Sequence, residues 1–207
     1  GNGIHRTTVT RWVREVVHLL AARAPRLDRA LKKIARKGGG IVLLDGSLIR
    51  TRRRTGSENR KNYSGKSKCH GLLVIALTDE NGRLLWVSAA RPGRTSEITA
   101  CRHDKLTTRL RAAGLGAIAD LGFTGLDDSD PDTDPAVITG YKATRNHPLT
   151  RGQKLSNTAL AAVRAPVEHG FAHLKNWRVL GKVRTAPKWA AALVRVLLVL
   201  TNREVSR

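Results

Sequence analysis

The sequence is poor in negative charge. Its 207 residues include 16 Asp and Glu against 38 Lys and Arg, which gives a formal net charge of +22 at pH 7. A compact domain with this imbalance repels itself unless a polyanion is nearby, and nucleic acid attracts Lys and Arg through the release of counterions. A membrane surface would instead require a basic amphipathic helix or a lipid anchor, and neither is convincing here. The charge therefore favours a nucleic-acid partner and no membrane.

Other scarce features narrow the class further. The two cysteines, Cys69 and Cys101, do not have the spacing of metal ligands, and we expect reduced thiols in a cytosolic protein. The longest apolar run, residues 190–200, contains Arg195 and is too short to span a bilayer, and no signal peptide opens the chain. We expect a soluble, cytoplasmic, nucleoid-associated protein. The sequence has no Met and begins at Gly1, so we also expect upstream sequence to be missing.

The first 37 residues have helical patterns. Apolar residues recur with the helical period over residues 7–20, and a second helix is predicted over residues 25–36. With Arg11 and Arg14, the first helix resembles the recognition half of a helix-turn-helix whose other helix would lie upstream. The alternative is a plain amphipathic helix that packs on the next domain. Glycines at 38–40 indicate a hinge, so we divide the chain into a helical segment at 1–37, interpreted as a helix-turn-helix remnant, and a domain at 41–207.

The second domain alternates between strand and helix patterns. Apolar runs predict strands at residues 41–44, 71–78 and 84–89, with a hairpin turn at Asn81-Gly82 between the last two. A helix over residues 95–113 follows, then strands at 115–119 and 136–139, a helix from about 156 to 180 and a last helix over 188–204. This order predicts an α/β fold of the ribonuclease H-like plan, with a mixed sheet flanked by helices.

Two carboxylates occupy matching places in this pattern. Asp45 follows the first buried strand, and Asp120 follows the strand after the long helix. If these strands are neighbours, both side chains emerge at one edge of the sheet. An unpaired charge at such a place costs several kcal/mol to desolvate, and a divalent cation removes that cost because Mg²⁺ prefers carboxylate oxygens. The pattern predicts a metal site.

A third carboxylate lies on the predicted helix after residue 156. Arg164, Glu168, Phe171 and Lys175 share one narrow helix face at about 100° per residue. A face that mixes Arg, Glu and Lys with one aromatic is unusual for core packing. It is typical of a surface that meets metal and phosphate together.

Three short blocks around these carboxylates resemble a known family. They are Leu43-Leu44-Asp45-Gly46-Ser47, Ala119-Asp120-Leu121-Gly122-Phe123 and Arg164-Ala165-Pro166-Val167-Glu168, the last followed by Lys175. They are similar to the catalytic blocks of bacterial insertion-sequence transposases of the DDE superfamily endonuclease group. The signature of that group is Tyr, two residues, Arg, three residues, Glu, six residues and Lys. Arg164, Glu168 and Lys175 have this spacing. The similarity runs from about residue 41 to the end. Ala161 stands at the position of the signature Tyr, and Pro166 either interrupts the helix or begins a new one.

The resemblance implies a function and a set of residues. Asp45, Asp120 and Glu168 are expected to be catalytic and to bind Mg²⁺ or Mn²⁺, two ions in the DNA-bound state. The expected reaction is strand cleavage of double-stranded DNA at element ends, followed by strand transfer to target DNA, by a homo-oligomer assembled on DNA. Two alternatives stay open: a catalytically inactive DNA-binding remnant, and a ribonuclease H-like nuclease without strand transfer.

Basic residues beside the carboxylates are the expected DNA contacts. The stretch 50–68 is strongly basic and contains Tyr63, an aromatic side chain that can stack on a base or sugar. Its alternative interpretation is a solvated loop. The acidic stretch 127–134 lacks the Gly and Glu of a calcium loop and is also predicted to be a solvated loop. The expected DNA-binding residues are Arg11, Arg14, Arg52, Arg53, Arg54, Lys61, Tyr63, Lys66, Lys68, Arg164 and Lys175.

Overall fold

A computed structural model of the chain describes residues 3–52, 57–127, 134–183 and 187–204. The helices are α1 (Arg6–Ala22), α2 (Leu27–Arg36), α3 (Glu97–His103), α4 (Leu106–Ala112), α5 (Arg151–Lys175) and α6 (Pro187–Glu204). The strands are β1 (Ile41–Arg50), β2 (Tyr63–Ser64), β3 (Cys69–Thr78), β4 (Leu84–Val87), β5 (Arg91–Pro92), β6 (Gly116–Ala119) and β7 (Val137–Ile138).

Strand β1 lies in the middle of a mixed sheet. On one side it pairs antiparallel with β3, whose other edge carries the short antiparallel strands β2, β4 and β5. On the other side β1 pairs parallel with β6, and β6 pairs parallel with β7. With helices on both faces, this is the ribonuclease H-like arrangement, so the predicted fold class is confirmed.

The central strands are buried on both faces, which explains their continuous apolar sequences. One face packs Leu44, Ile75 and Leu77 against helices α2, α3 and α4. The opposite face packs Val74 and Ala76 against α5 and α6. Each such aliphatic side chain contributes about 1.5–3 kcal/mol when it is buried. The two layers of helices therefore cover both faces of β1.

The two N-terminal helices both contact the rest of the chain. Leu31 and Ile34 of α2 belong to the same core cluster as β1 and β3. Helix α1 packs on α6 through the buried Val17 and through His18, whose ring centre is 6.2 Å from that of Trp189. This is the packing that the plain amphipathic interpretation of the first helix expects. The helix-turn-helix remnant and the boundary after residue 37 stay predictions.

Helix boundaries differ from the predicted ones for local reasons. The predicted helix over 95–113 divides into α3 and α4 at Lys105, which adopts the left-handed conformation (φ 52°). Helix α5 begins at Arg151 instead of near residue 156, because the Thr150 side chain and the Gln153 side chain form a capping box. Pro166 lies inside a single continuous α5, so a fresh helix does not begin there.

The turn between β3 and β4 lies against α5. Gly82 has a left-handed backbone (φ +79°), and a Cβ added to it would lie 2.1 Å from the Pro166 carbonyl oxygen. A Cβ added to Gly170 would lie 2.4 Å from the Gly82 carbonyl oxygen. Backbone therefore meets backbone here with no room for a side chain.

Asp127 corrects one sequence-based prediction. Its side chain is 5% exposed and accepts a hydrogen bond from Arg111 Nη2 at 2.7 Å. Its other oxygen accepts the backbone N–H groups of Ala136 at 2.6 Å and Val137 at 3.2 Å. Asp127 anchors the start of β7, so the solvated-loop prediction was wrong for this residue. Residues 128–133 of the acidic stretch lie outside the described residues.

Candidate active site

Asp45 lies in β1, and Asp120 directly follows the neighbouring parallel strand β6. Leu44 of β1 is paired with Ala119 of β6, so the next residue on each chain is an aspartate. Because side chains alternate along an extended chain, both carboxylates point to the same face as Leu43 and Ile118, which α5 covers. The structure brings two of the three predicted carboxylates together.

Strand β1 does not end at Asp45, as the sequence had suggested, but continues to Arg50. It stays paired with β3, with Asp45 opposite Ala76 and Arg50 opposite Gly71. Strand β6 stops at Ala119 and no longer pairs with β1 beyond that point. Among the described residues, the second half of β1 therefore has no strand partner on the side next to the two aspartates.

The Asp45 carboxylate is strained electrostatically. Its pKa is raised from 3.8 to about 6, chiefly by burial and to a smaller extent by the nearby Asp120 and Glu97. The backbone N–H of Gly46 donates to Asp45 Oδ1 at 2.8 Å and lowers the pKa, as does Arg164, whose Nη2 is 3.8 Å from the same oxygen. The two favourable contacts do not compensate for lost hydration, so this carboxylate has capacity for a further cation.

Asp120 is fixed by a turn. Its Oδ1 accepts the backbone N–H of Gly122 at 2.8 Å and caps a short 3₁₀ turn over Leu121–Phe123. The fully buried Phe123 anchors that turn in the core. The second oxygen of the carboxylate is left for other contacts.

Helix α5 brings Arg164, not Glu168, to Asp45. The Arg164 side chain is 20% exposed, and its Nε is buried with no hydrogen-bond partner in the described part of the chain. Val167, one turn further, is fully buried against Leu43 and Ile118. Glu168 follows it on the exposed side of the helix. Its role as the third carboxylate stays a prediction.

Glu97 is a carboxylate that sequence reasoning missed. It is the first residue of α3, after the N-cap Ser96, and acidic residues are common in a first helical turn. In the structure its side chain is only 15% exposed and lies against Gly46 and Gly122, beside both aspartates. Only the tertiary packing of α3 on the sheet places it there.

A basic groove runs from this point along the second half of β1. Its volume is about 510 Å³, and Gly46 and Glu97 lie in its wall. Four basic side chains also line it: Arg50, Lys66, Arg94 and Lys175. Lys175 is in addition held over the Phe171 ring, with its Nζ 5.7 Å from the ring centre. Lys66 and Lys175, two of the predicted DNA contacts, thus lie in one groove with Arg50 of the predicted basic stretch and with Arg94, which was not predicted.

The other predicted DNA contacts are more scattered. Arg52 is exposed and donates from Nε to the Gly181 carbonyl at 3.3 Å, and Tyr63 is 44% exposed with its ring edge against His70. Arg53 and Arg54 lie outside the described residues. The remaining exposed ones are Lys61 and Lys68 before β3, and Arg11 and Arg14 on α1.

Comparison with known proteins decides the family. The profile of the family described as DDE superfamily endonuclease matches residues 44–202, which is most of the chain. The chain belongs to the DDE superfamily endonucleases. Neither the curated proteins nor the solved structures gave a significant match. In the described residues, no helix is both long and apolar enough to cross a membrane.

DDE superfamily endonucleases generally act on DNA and use divalent metal ions, and the residues here fit such an ion. Asp45 and Asp120 offer hard carboxylate oxygens, and a Cβ at Gly122 would lie 2.3 Å from Glu97 Oε2 and 2.9 Å from Asp120 Oδ1. The space between those two oxygens is thus kept free of side-chain atoms. Within the described ranges, no three acidic, His or Cys side chains already converge on one point. Asp45 and Asp120 would hold such an ion through their carboxylate oxygens.

Proposed function

We propose that this endonuclease-family chain is the catalytic domain of an insertion-sequence transposase. It would cleave DNA at the ends of a mobile element and join the freed 3′-hydroxyl to target DNA. The observation that supports this most directly is the position of Asp45 and Asp120 directly after the paired residues Leu44 and Ala119, next to a basic groove whose wall contains Gly46. Carboxylates beside clustered Lys and Arg suit a site that must hold a cation and a phosphodiester together.

In this proposal Asp45, Asp120 and Glu168 hold Mg²⁺ or Mn²⁺, two ions when DNA is bound. The bound ions would supply Lewis-acid activation of water or a 3′-hydroxyl and neutralise charge on the leaving oxygen. Asp45 is suited to this role because its buried charge is under-compensated. Glu168, exposed on α5, would reach the site by a change of side-chain conformation.

The basic residues would position the DNA. Arg50, Lys66, Arg94 and Lys175 line one groove, so their charges act on the same stretch of phosphodiester backbone. Arg164, already beside Asp45, would hold the scissile phosphate against the carboxylates. Because element ends are brought together in pairs during such a reaction, we propose that the protein acts as a homo-oligomer on DNA.

A strand-transfer assay tests the proposed function. Purified full chain is incubated with Mn²⁺, a labelled duplex carrying a candidate element end, and a supercoiled target plasmid. We expect labelled DNA to become joined to the plasmid, and expect Asp120→Asn to abolish nicking and joining while it still binds the duplex. Nicking without joining would assign a nuclease instead, and binding without any nicking would assign an inactive remnant.

A further inference from the structure

Glu97 lies between the backbone that follows Asp45 and the backbone that follows Asp120. A Cβ added to Gly46, the residue after Asp45, would lie 2.9 Å from Glu97 Oε1. A Cβ added to Gly122, two residues after Asp120, would lie 2.3 Å from Glu97 Oε2. Each oxygen of this carboxylate therefore occupies space that a missing side chain leaves free. Alanine at either position would require the Glu97 side chain to shift.

The charges around Glu97 are unbalanced. It raises the pKa of Asp45 together with Asp120, so three negative groups lie within electrostatic range of each other. On the groove side, Lys66 forms an ion pair with Glu97: its Nζ lies 3.2 Å from Glu97 Oε1 and 3.3 Å from Glu97 Oε2. The Lys66 side chain is 73% exposed and lies on the turn before β3, so it is held weakly.

We propose that Glu97 is a further carboxylate of the divalent-cation site, beside Asp45 and Asp120. Lys66 is its countercharge while no cation is bound, and it draws the Glu97 carboxylate toward the groove. When a cation binds, Glu97 turns toward Asp120 and releases Lys66, which is then free to contact phosphate. This inference rests on the proposed function, because it adds a residue to the same cation site.

Metal affinity measured without DNA tests the assignment. Mn²⁺ is titrated into the metal-free full chain by isothermal calorimetry, for the wild type and for Glu97→Gln and Lys66→Met. Glu97→Gln is expected to weaken Mn²⁺ binding at least about tenfold, because it removes one carboxylate from the cation site. Lys66→Met is expected to tighten it by about two- to fivefold, as expected for the removal of one exposed ion pair.

The size of the Glu97→Gln effect separates a ligand from a carboxylate that is only nearby. If the Lys66–Glu97 pair only ties the turn to α3, Glu97→Gln removes a single non-ligating charge and weakens Mn²⁺ binding by no more than about fivefold. That result, or a Lys66→Met variant that does not tighten Mn²⁺ binding, would overturn the proposal. Glu80→Gln, which removes an exposed carboxylate from the β3–β4 turn, is the matched control and is expected to leave the affinity unchanged.

Asp45→Asn distinguishes failure of this inference from failure of the proposed function. If Asp45→Asn abolishes Mn²⁺ binding while Glu97→Gln does not weaken it, the cation site stands and Glu97 is not part of it. If Mn²⁺ binds the wild type and Asp45→Asn equally, the cation site itself is wrong. Urea unfolding of each variant confirms that affinities are compared between folded proteins.

Discussion

Replacing Asp45 by Asn is expected to abolish cleavage and to stabilise the metal-free protein. Burial and two neighbouring carboxylates raise the pKa of Asp45 from 3.8 to about 6, and its side chain is only 19% exposed. Since one pKa unit corresponds to about 1.4 kcal/mol, the ionised carboxylate costs the folded state up to about 3 kcal/mol. Asn keeps an oxygen that can accept the Gly46 N–H but carries no charge.

The sign of the pH dependence follows from the raised pKa. Between pH 3.8 and about 6 the folded protein holds a proton on Asp45 that the unfolded chain has released. The contribution of Asp45 to the unfolding free energy therefore falls as the pH rises through this window and stays low above it. Asp45→Asn is expected to match the wild type at the acidic end and to exceed it by up to about 3 kcal/mol above the window.

Urea unfolding in the presence of a chelator measures this difference. The unfolding free energy of the wild type and Asp45→Asn is compared at about pH 4 and about pH 8, so that titrations common to both proteins cancel. Asp134→Asn, which removes a carboxylate from an exposed position, is the control and is expected to show no such change. A difference between wild type and Asp45→Asn that does not grow with pH would refute the reasoning.

Glu168, the basic groove and Asp127 give the remaining predictions. Glu168→Gln is expected to abolish nicking. Because the residue is exposed, the substitution is expected to change the unfolding free energy by less than about 0.5 kcal/mol. His169→Gln is the control, and full nicking activity of Glu168→Gln would show that Glu168 is not part of the site. DNA binding is expected to show weak sequence preference. If roughly six phosphates are neutralised, the logarithm of the binding constant is expected to fall with the logarithm of the salt concentration with a slope near −5. This slope corresponds to an affinity loss on the order of a thousandfold between about 50 and 200 mM salt. Replacing the groove residues Arg50, Arg94 and Lys175 by Gln is expected to bring that slope to about −2. The control is the same replacement of Lys32, Lys33 and Arg36 on α2, which is expected to change the slope less. Equal effects of the two triple replacements would show that the groove is not the binding surface. Asp127→Asn is expected to destabilise the fold by about 1–3 kcal/mol in urea unfolding because three donors lose a charged acceptor, and an unchanged midpoint would contradict this.

The fold and the aspartate pair could be predicted because their signals are local in the sequence. Buried strands are continuous apolar runs bounded by glycine, and the residues that directly follow Leu44 and Ala119 are both aspartates. The order of strands and helices then restricts the sheet to few arrangements. The sequence did not predict the full length of β1 because Gly46 and Ser47 favour a turn. In the structure, pairing with β3 keeps both residues in the strand.

What could not be predicted depends on tertiary contacts. Glu97 has the ordinary signature of a first-turn residue, and nothing near it in the sequence points to Gly46 or Gly122. Asp127 lies in an acidic stretch whose composition indicates solvent, yet the fold turns this one side chain inward. The start of α5 is different, because Thr150 and Gln153 form a capping box whose signature was present in the sequence.

The contact between the β3–β4 turn and α5 has a consequence for catalysis. Gly82 lies against Pro166 and Gly170 on α5; these two residues flank Glu168, and Pro166 follows Arg164 by about half a turn. The turn therefore limits how closely α5 can approach the sheet next to these two charged residues. A methyl group at Gly82 would displace the helix and carry both charged side chains with it. The rate of DNA cleavage is thus expected to be adjustable from a glycine that has no functional group and touches no substrate.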